Sequence, residues 1–127
     1  MRCDGLRVLL VEDAPDIREV FTMLLRAEGA DVVATDSGRE AVRLTAAGDF
    51  DIVLTDLGLP DIPGDVVIRR VLTGGRRNPR VIVITGYGEP FLSRARSAGA
   101  DVVLVKPVVW SRVVDTLESM RADRVAV

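Results

Sequence analysis

"DIVLTDLGLP", residues 51–60, is the stretch on which the reading of this chain turns. Ile52, Val53 and Leu54 are apolar and Thr55 extends the run, which reads as a strand buried on both faces. Asp56 then puts a carboxylate where the strand should end, and Gly58 and Pro60 follow in turn-forming positions. An aspartate there has an ordinary use, bonding its own backbone in a turn. It also has a chemical one, as a reactive or metal-binding carboxylate.

Working outward, the same pattern recurs. "LRVLLVE" (6–12) reads as a buried strand, and residues 16–29 follow with Ile17, Val20, Phe21, Leu24 and Leu25 at helical spacing and Gly29 as the stop. "ADVVATD" (30–36) is a short strand. Residues 37–48 form a helix, with Ser37 as its cap, Ala41, Val42, Leu44 and Thr45 on one face and Gly48 at its end. Beyond Asp56 come a helix from Asp65 closed by Gly74 and Gly75, a strand "RVIVIT" (80–85) and a helix ended by Gly99. A strand "DVVLV" (101–105) and a last helix over 109–123 complete the series, with Val109, Val113, Leu117 and Met120 on its stripe. Five β–α repeats with apolar strands predict a parallel sheet covered by helices on both faces.

The 127 residues match the commonest single-domain size, and 48% hydrophobic residues suffice for a core. One domain over 1–127 is expected, with a core from about 6 to 121 and a frayed tail "RVAV" (124–127). A net charge of −2 and a pI near 5.1 argue against a nucleic-acid-binding module. No apolar run reaches the roughly 18 residues of a membrane span. The N-terminal segment turns acidic too soon for a signal peptide. Cys3 is the only cysteine, so an intrachain disulfide is excluded and the cytoplasm is the expected compartment. The absence of histidine excludes histidine-based acid–base catalysis, zinc–histidine sites and phosphohistidine on this chain.

In open α/β sheets ligands bind outside the carboxyl ends of the strands. Those ends carry Glu12-Asp13, Asp56, Thr85-Gly86 and Lys106-Pro107, while Thr35-Asp36 is peripheral. Each has an ordinary explanation: acids near a helix start favour its dipole by about 0.3–1 kcal/mol, and a strand-end lysine or loop threonine needs none. Together on one edge they make chemical sense. Converging carboxylates raise one another's pKa, and a hard divalent cation relieves the repulsion. Mg²⁺ takes one or two carboxylates directly and keeps waters or phosphate oxygens for the rest. Lys106 and Thr85 then lack an anion, which a phosphoryl group would supply.

With these residues in order and spacing, the chain resembles the CheY-like receiver domains of two-component response regulators from Leu6 to about Met120. The resemblance implies a flavodoxin-like fold with strand order 2-1-3-4-5. It implies that Asp56 accepts a phosphoryl group from a phosphohistidine on a histidine kinase or histidine phosphotransfer protein. It further implies that Asp13 binds Mg²⁺ directly, Glu12 through water, and Gly58 by its backbone carbonyl. Lys106 contacts the phosphoryl oxygens, Thr85 moves to bond them, and the Lys106-Pro107 bond is cis. Such a domain promotes its own phosphorylation and dephosphorylation without being an enzyme. Output is expected through the fourth helix, fifth strand and fifth helix, a face that also supports a homodimer. No nucleic-acid or membrane contact is expected. "DLGLP" matches the spelling common in receivers of hybrid histidine kinases.

One departure stands out: the aromatic residue such domains carry three positions before the lysine is here Val103. Tyr87, the only tyrosine, is either its substitute or an exposed loop aromatic. A haloacid-dehalogenase-like phosphatase would need a second acid where Gly58 stands. A non-phosphorylated pseudo-receiver would not need the full acceptor set. A DNA-binding response regulator would need more than the fifth helix leaves. For partner docking, Ile17, Arg18, Val20 and Phe21 are candidates, with core packing or solvent exposure as their ordinary role.

Overall fold

The apolar runs pair as five parallel strands in a computed structural model that describes residues 1–74 and 77–125. The strands are β1 (Arg7–Val11), β2 (Asp31–Thr35), β3 (Ile52–Thr55), β4 (Arg80–Thr85) and β5 (Val102–Val105). The helices are α1 (Pro15–Ala27), α2 (Gly38–Ala47), α3 (Gly64–Thr73), α4 (Phe91–Ala98) and α5 (Trp110–Val125). The sheet order is β2-β1-β3-β4-β5, as the resemblance implies.

Alternate strand residues face opposite sides of a sheet. Val8, Leu10, Ile52, Leu54 and Ile82 therefore pack with Leu25 of α1 and Val113, Val114, Leu117 and Met120 of α5. Leu9, Val11, Val53, Val81 and Val83 pack with Ala41 of α2, Val67, Ile68 and Val71 of α3 and Ala95 of α4. Register then aligns the strand ends: Val11 stands opposite both Thr35 and Thr55, and Thr85 opposite Val105. The next residues along β1, β3 and β5 are Glu12, Asp56 and Lys106. Strand order reverses between β1 and β3, where such sheets bind ligands.

Local signals predict the helix limits well. Ser37 caps α2 by accepting from the Glu40 N–H at 3.1 Å. Gly29 and Gly99 stop α1 and α4 with φ of +93° and +117°, which a side chain disfavours. Two predicted stripes are corrected. Val109 does not join the α5 stripe: it precedes the helix and is 67% exposed. On α1 only Leu25 is fully buried, Phe21 packs partly against the core, and Ile17, Val20 and Leu24 face outward. The last helix also continues to Val125, beyond the expected core limit near 121 and into the expected tail. Gly75, the second expected stop of α3, and Ala126 and Val127 lie outside the described residues. Among the described residues no helix is long and apolar enough to cross a membrane.

Candidate functional site

Each strand-end residue reaches the carboxyl edge because its strand stops there. Asp56 leaves β3 with its N–H on the Val11 carbonyl at 3.4 Å, and Lys106 leaves β5 with its N–H on the Thr85 carbonyl at 2.8 Å. Their side chains meet: Lys106 Nζ donates to Asp56 Oδ2 at 2.9 Å. The other Asp56 oxygen, Oδ1, accepts from the Leu57 N–H at 2.6 Å and the Gly58 N–H at 3.4 Å. Both uses considered for this aspartate thus coexist, since it closes its own turn and faces a lysine.

Glu12 is buried, and its carboxylate accepts from the Ala14 N–H at 3.3 Å. Burial pushes its carboxyl above the ordinary glutamate value. The Ala14 N–H works against that rise, while the neighbouring Asp13 carboxyl and the charge of Asp56 add to it. For Lys106, partial burial pulls the ammonium down, but the hydrogen bond and charge of Asp56, with Glu12 and Asp13 behind it, raise it above the usual lysine value. Arg18, one turn into α1, does not neutralise this cluster. It donates from Nη1 to the backbone carbonyls of Glu12 and Asp13 at 3.0 and 3.4 Å, bracing the β1–α1 loop.

The donor set fits a hard divalent cation. Three carboxylates of like charge face one ammonium, and all offer hard oxygen donors. Among the described residues no three acidic or sulfur side chains close into a ready-made cage. Mg²⁺ keeps part of its water shell and takes only one or two carboxylates directly.

Thr85 is fully buried, and its Oγ1 accepts from the Tyr87 N–H at 3.1 Å. Tyr87 stacks against Phe91 with ring centroids 5.1 Å apart, and both rings are exposed. A Cβ built on Gly58 would lie 2.8 Å from the Tyr87 hydroxyl, so the ring rests on the acceptor loop. Tyr87 is therefore more than an exposed aromatic. Val103 packs against the core beside α4. Lys106-Pro107 is cis, as the resemblance implies, and Glu89-Pro90 is also cis. Trp110 leans on Phe21 of α1 at 5.6 Å.

Sequence reasoning missed one residue beside this site. Asp61, five positions past Asp56, accepts from the Gly38 and Arg39 N–H groups, each at 2.9 Å, and from the Ser37 hydroxyl at 2.8 Å. The one local signal was a carboxylate inside a turn next to Pro60, which any loop could carry.

A family model described as the response regulator receiver domain matches residues 8–118. The cell cycle transcriptional regulator CtrA of Caulobacter vibrioides is 34% identical over 103 residues, covering 80% of this chain and 44% of CtrA. The chain thus spans less than half the length of that relative. The receiver domain of sensor histidine kinase PA1611 from Pseudomonas aeruginosa, described with a magnesium ion coordinated in its active site cleft, superposes with a TM-score of 0.82 at 28% identity. That superposition covers 91% of this chain and 97% of that receiver-domain chain. The N-terminal domain of a Wolinella succinogenes protein superposes with a TM-score of 0.88 at 31% identity, covering 96% of this chain and 98% of that one.

Proposed function

The chain belongs to the response regulator receiver domain family of two-component signalling, and from that premise we propose that residues 1–127 act as one phosphoacceptor unit with Asp56 as the acceptor. The observation that carries this reading is the 2.9 Å contact of Lys106 Nζ with Asp56 Oδ2, beside the Glu12–Asp13 acid pair on the same strand edge. A pseudo-receiver would have no use for this set.

The donor is a phosphohistidine on a histidine kinase or histidine phosphotransfer protein. An Asp56 oxygen attacks phosphorus, and an acyl phosphate forms as the bond from phosphorus to the imidazole nitrogen breaks. The electron pair of that bond stays on the imidazole, which takes up a proton from water. Lys106 passes its hydrogen bond from the carboxylate to a phosphoryl oxygen. The Thr85 hydroxyl now accepts from Tyr87, which leaves its own proton to donate to another phosphoryl oxygen. Asp13, Glu12 through water, Asp56 and the Gly58 carbonyl would hold Mg²⁺. When bound, the ion supplies positive charge against the phosphoryl oxygens. Water later attacks the same phosphorus and regenerates the carboxylate.

Phosphorylation adds about −1.5 to −2 charges where one ammonium already faces three carboxylates. The loops of Thr85 and Tyr87 respond, and the signal leaves through α4, β5 and α5, where Phe91, Val105 and Val109 are exposed. That face serves a homodimer or a docked partner, and the exposed Ile17, Val20 and Leu24 of α1 serve the phosphodonor. The domain acts in the cytoplasm, without nucleic-acid or membrane contact of its own. Incubation with a small-molecule phosphodonor and Mg²⁺, followed by intact-mass measurement, should add one phosphoryl group to the wild type and none to Asp56→Asn. An unlabelled wild type, or a labelled Asp56→Asn, rules the reading out.

A further inference from the structure

We propose that Asp61 is a positioning residue of the phosphoacceptor site, locking the segment that carries Asp56 and Gly58 onto the amino end of α2. The inference rests on the acceptor reading above. Eight residues, Asp56 to Pro63, join β3 to α3, and of these Asp56 alone still bonds to β1 through its N–H. Near the start of this segment, Leu57 is buried and Gly64 lies against its backbone: a Cβ on Gly64 would come within 2.9 Å of the Leu57 carbonyl oxygen. At the far end the segment is held by Asp61. One carboxylate oxygen takes the Gly38 N–H, and the other takes the Arg39 N–H and the Ser37 hydroxyl.

The arrangement is a cap shared between two elements. The first N–H groups of a helix have no partner within it. Here Ser37 satisfies Glu40, while Gly38 and Arg39 turn to a carboxylate more than 20 residues away. The positive end of the helix dipole favours that charge. The Arg39 N–H above all, with the Ser37 hydroxyl and Gly38 N–H, holds the Asp61 carboxyl well below the usual carboxylate range. Shape closes the joint. A Cβ on Gly38 would lie 2.7 Å from Val67 Cγ2 and 2.8 Å from Ile62 Cγ1, so only glycine lets α2 approach this closely. Asp56 and Gly58 thus stand between two fixed points, β3 and the α2 cap. Without Asp61 the Gly58 carbonyl loses the constraint that ties the far end of its segment to α2. Groups that orient metal ligands without touching the ion typically contribute about 10-fold or more to affinity.

The test measures Mg²⁺ affinity of the unphosphorylated protein by amide chemical shifts, and beryllofluoride binding in parallel. The variants are Asp61→Ala, Asp61→Asn and Asp101→Asn. Asp61→Asn keeps one acceptor oxygen and guards against loss of the fold. Asp101→Asn removes a strand-edge carboxylate remote from the loop and controls for general destabilisation. The expected result is Mg²⁺ binding weakened on the order of tenfold in Asp61→Ala, less in Asp61→Asn and not at all in Asp101→Asn, with faster exchange of the Leu57 and Gly58 amides in the Asp61 variants alone. Wild-type affinity in both Asp61 variants overturns the inference, and so does equal weakening in Asp101→Asn. A wild type that binds neither Mg²⁺ nor beryllofluoride overturns the acceptor reading itself.

Discussion

At the amino edge of the sheet, Asp51 and Asp101 each split their two oxygens in the same way. Asp51 accepts from the Arg7 N–H at 2.8 Å and pairs with Arg77 at 3.3 Å. Asp101 accepts from the Val81 N–H at 2.7 Å and pairs with Arg80 at 3.1 Å. At the carboxyl edge, Glu12, Asp13 and Asp56 face the single ammonium of Lys106. The guanidinium of Arg18 is turned to backbone carbonyls instead. Both edges hold strand-terminal acids. Where each acid has a backbone donor and a cation of its own, it splices neighbouring strands. Where acids outnumber cations, the edge is electrostatically incomplete and suits a charged ligand.

The comparison breaks most easily at Lys106. Lys106→Met leaves the three acids without a cation and should slow phosphoryl uptake about a hundredfold, the usual scale for removing one transition-state donor. An unchanged rate would show that the ammonium only balances charge at rest.

Next in size, Asp101→Asn should lower folding stability by about 1–2 kcal/mol, since it weakens a backbone bond and an ion pair. Phosphoryl uptake should not change. Chemical denaturation checks the first expectation and a phosphodonor assay the second; reduced uptake would mean that the two edges are not separable.

Asp13→Asn should act in the opposite direction on the apo protein, raising its melting temperature slightly because a repelling charge has gone. It should also abolish the Mg²⁺-dependent rise. In the wild type that rise corresponds to about 1.4 kcal/mol when Mg²⁺ stands tenfold above its dissociation constant. If the variant responds to Mg²⁺ as the wild type does, the ion binds elsewhere.

The smallest expected effect lies in the acid limb of the stability curve. The folded pKa of Asp61 is depressed, so its contribution is present above the unfolded carboxylate pKa of about 3.9 and fades as pH falls below it. Glu12 runs the other way in metal-free buffer. Its folded pKa is raised, so its contribution is present at low pH and lost as pH climbs through the raised value. Asp61→Asn should therefore flatten the fall in stability from about pH 5 to pH 2. Glu12→Gln should remove a fall that begins near the ordinary carboxylate value and proceeds upward. Parallel curves for the wild type and both variants would contradict both assignments.

Read along the chain, much of this was local and so legible. Strand and helix types follow from hydrophobic period, α2 begins at its Ser37 cap, and α1 and α4 stop at Gly29 and Gly99. Even the membership of the carboxyl edge follows, because a residue just past the end of a parallel strand lies on that edge whatever its neighbours are. Tertiary structure decided what each side chain meets. Periodicity groups Ile17, Val20 and Leu24 with Phe21 and Leu25, yet a helix lying on a sheet buries only a narrow stripe, and the first three face outward. The same limit applies to Val109, which shares the α5 spacing but precedes the helix. The contact of Tyr87 with Gly58, the bracing by Arg18 and the hold of Asp61 on α2 were not legible. The Tyr87 and Asp61 contacts join elements more than 20 residues apart and so leave no period in the chain, while the Arg18 brace, only five and six residues long, ends on backbone carbonyls that any sequence offers.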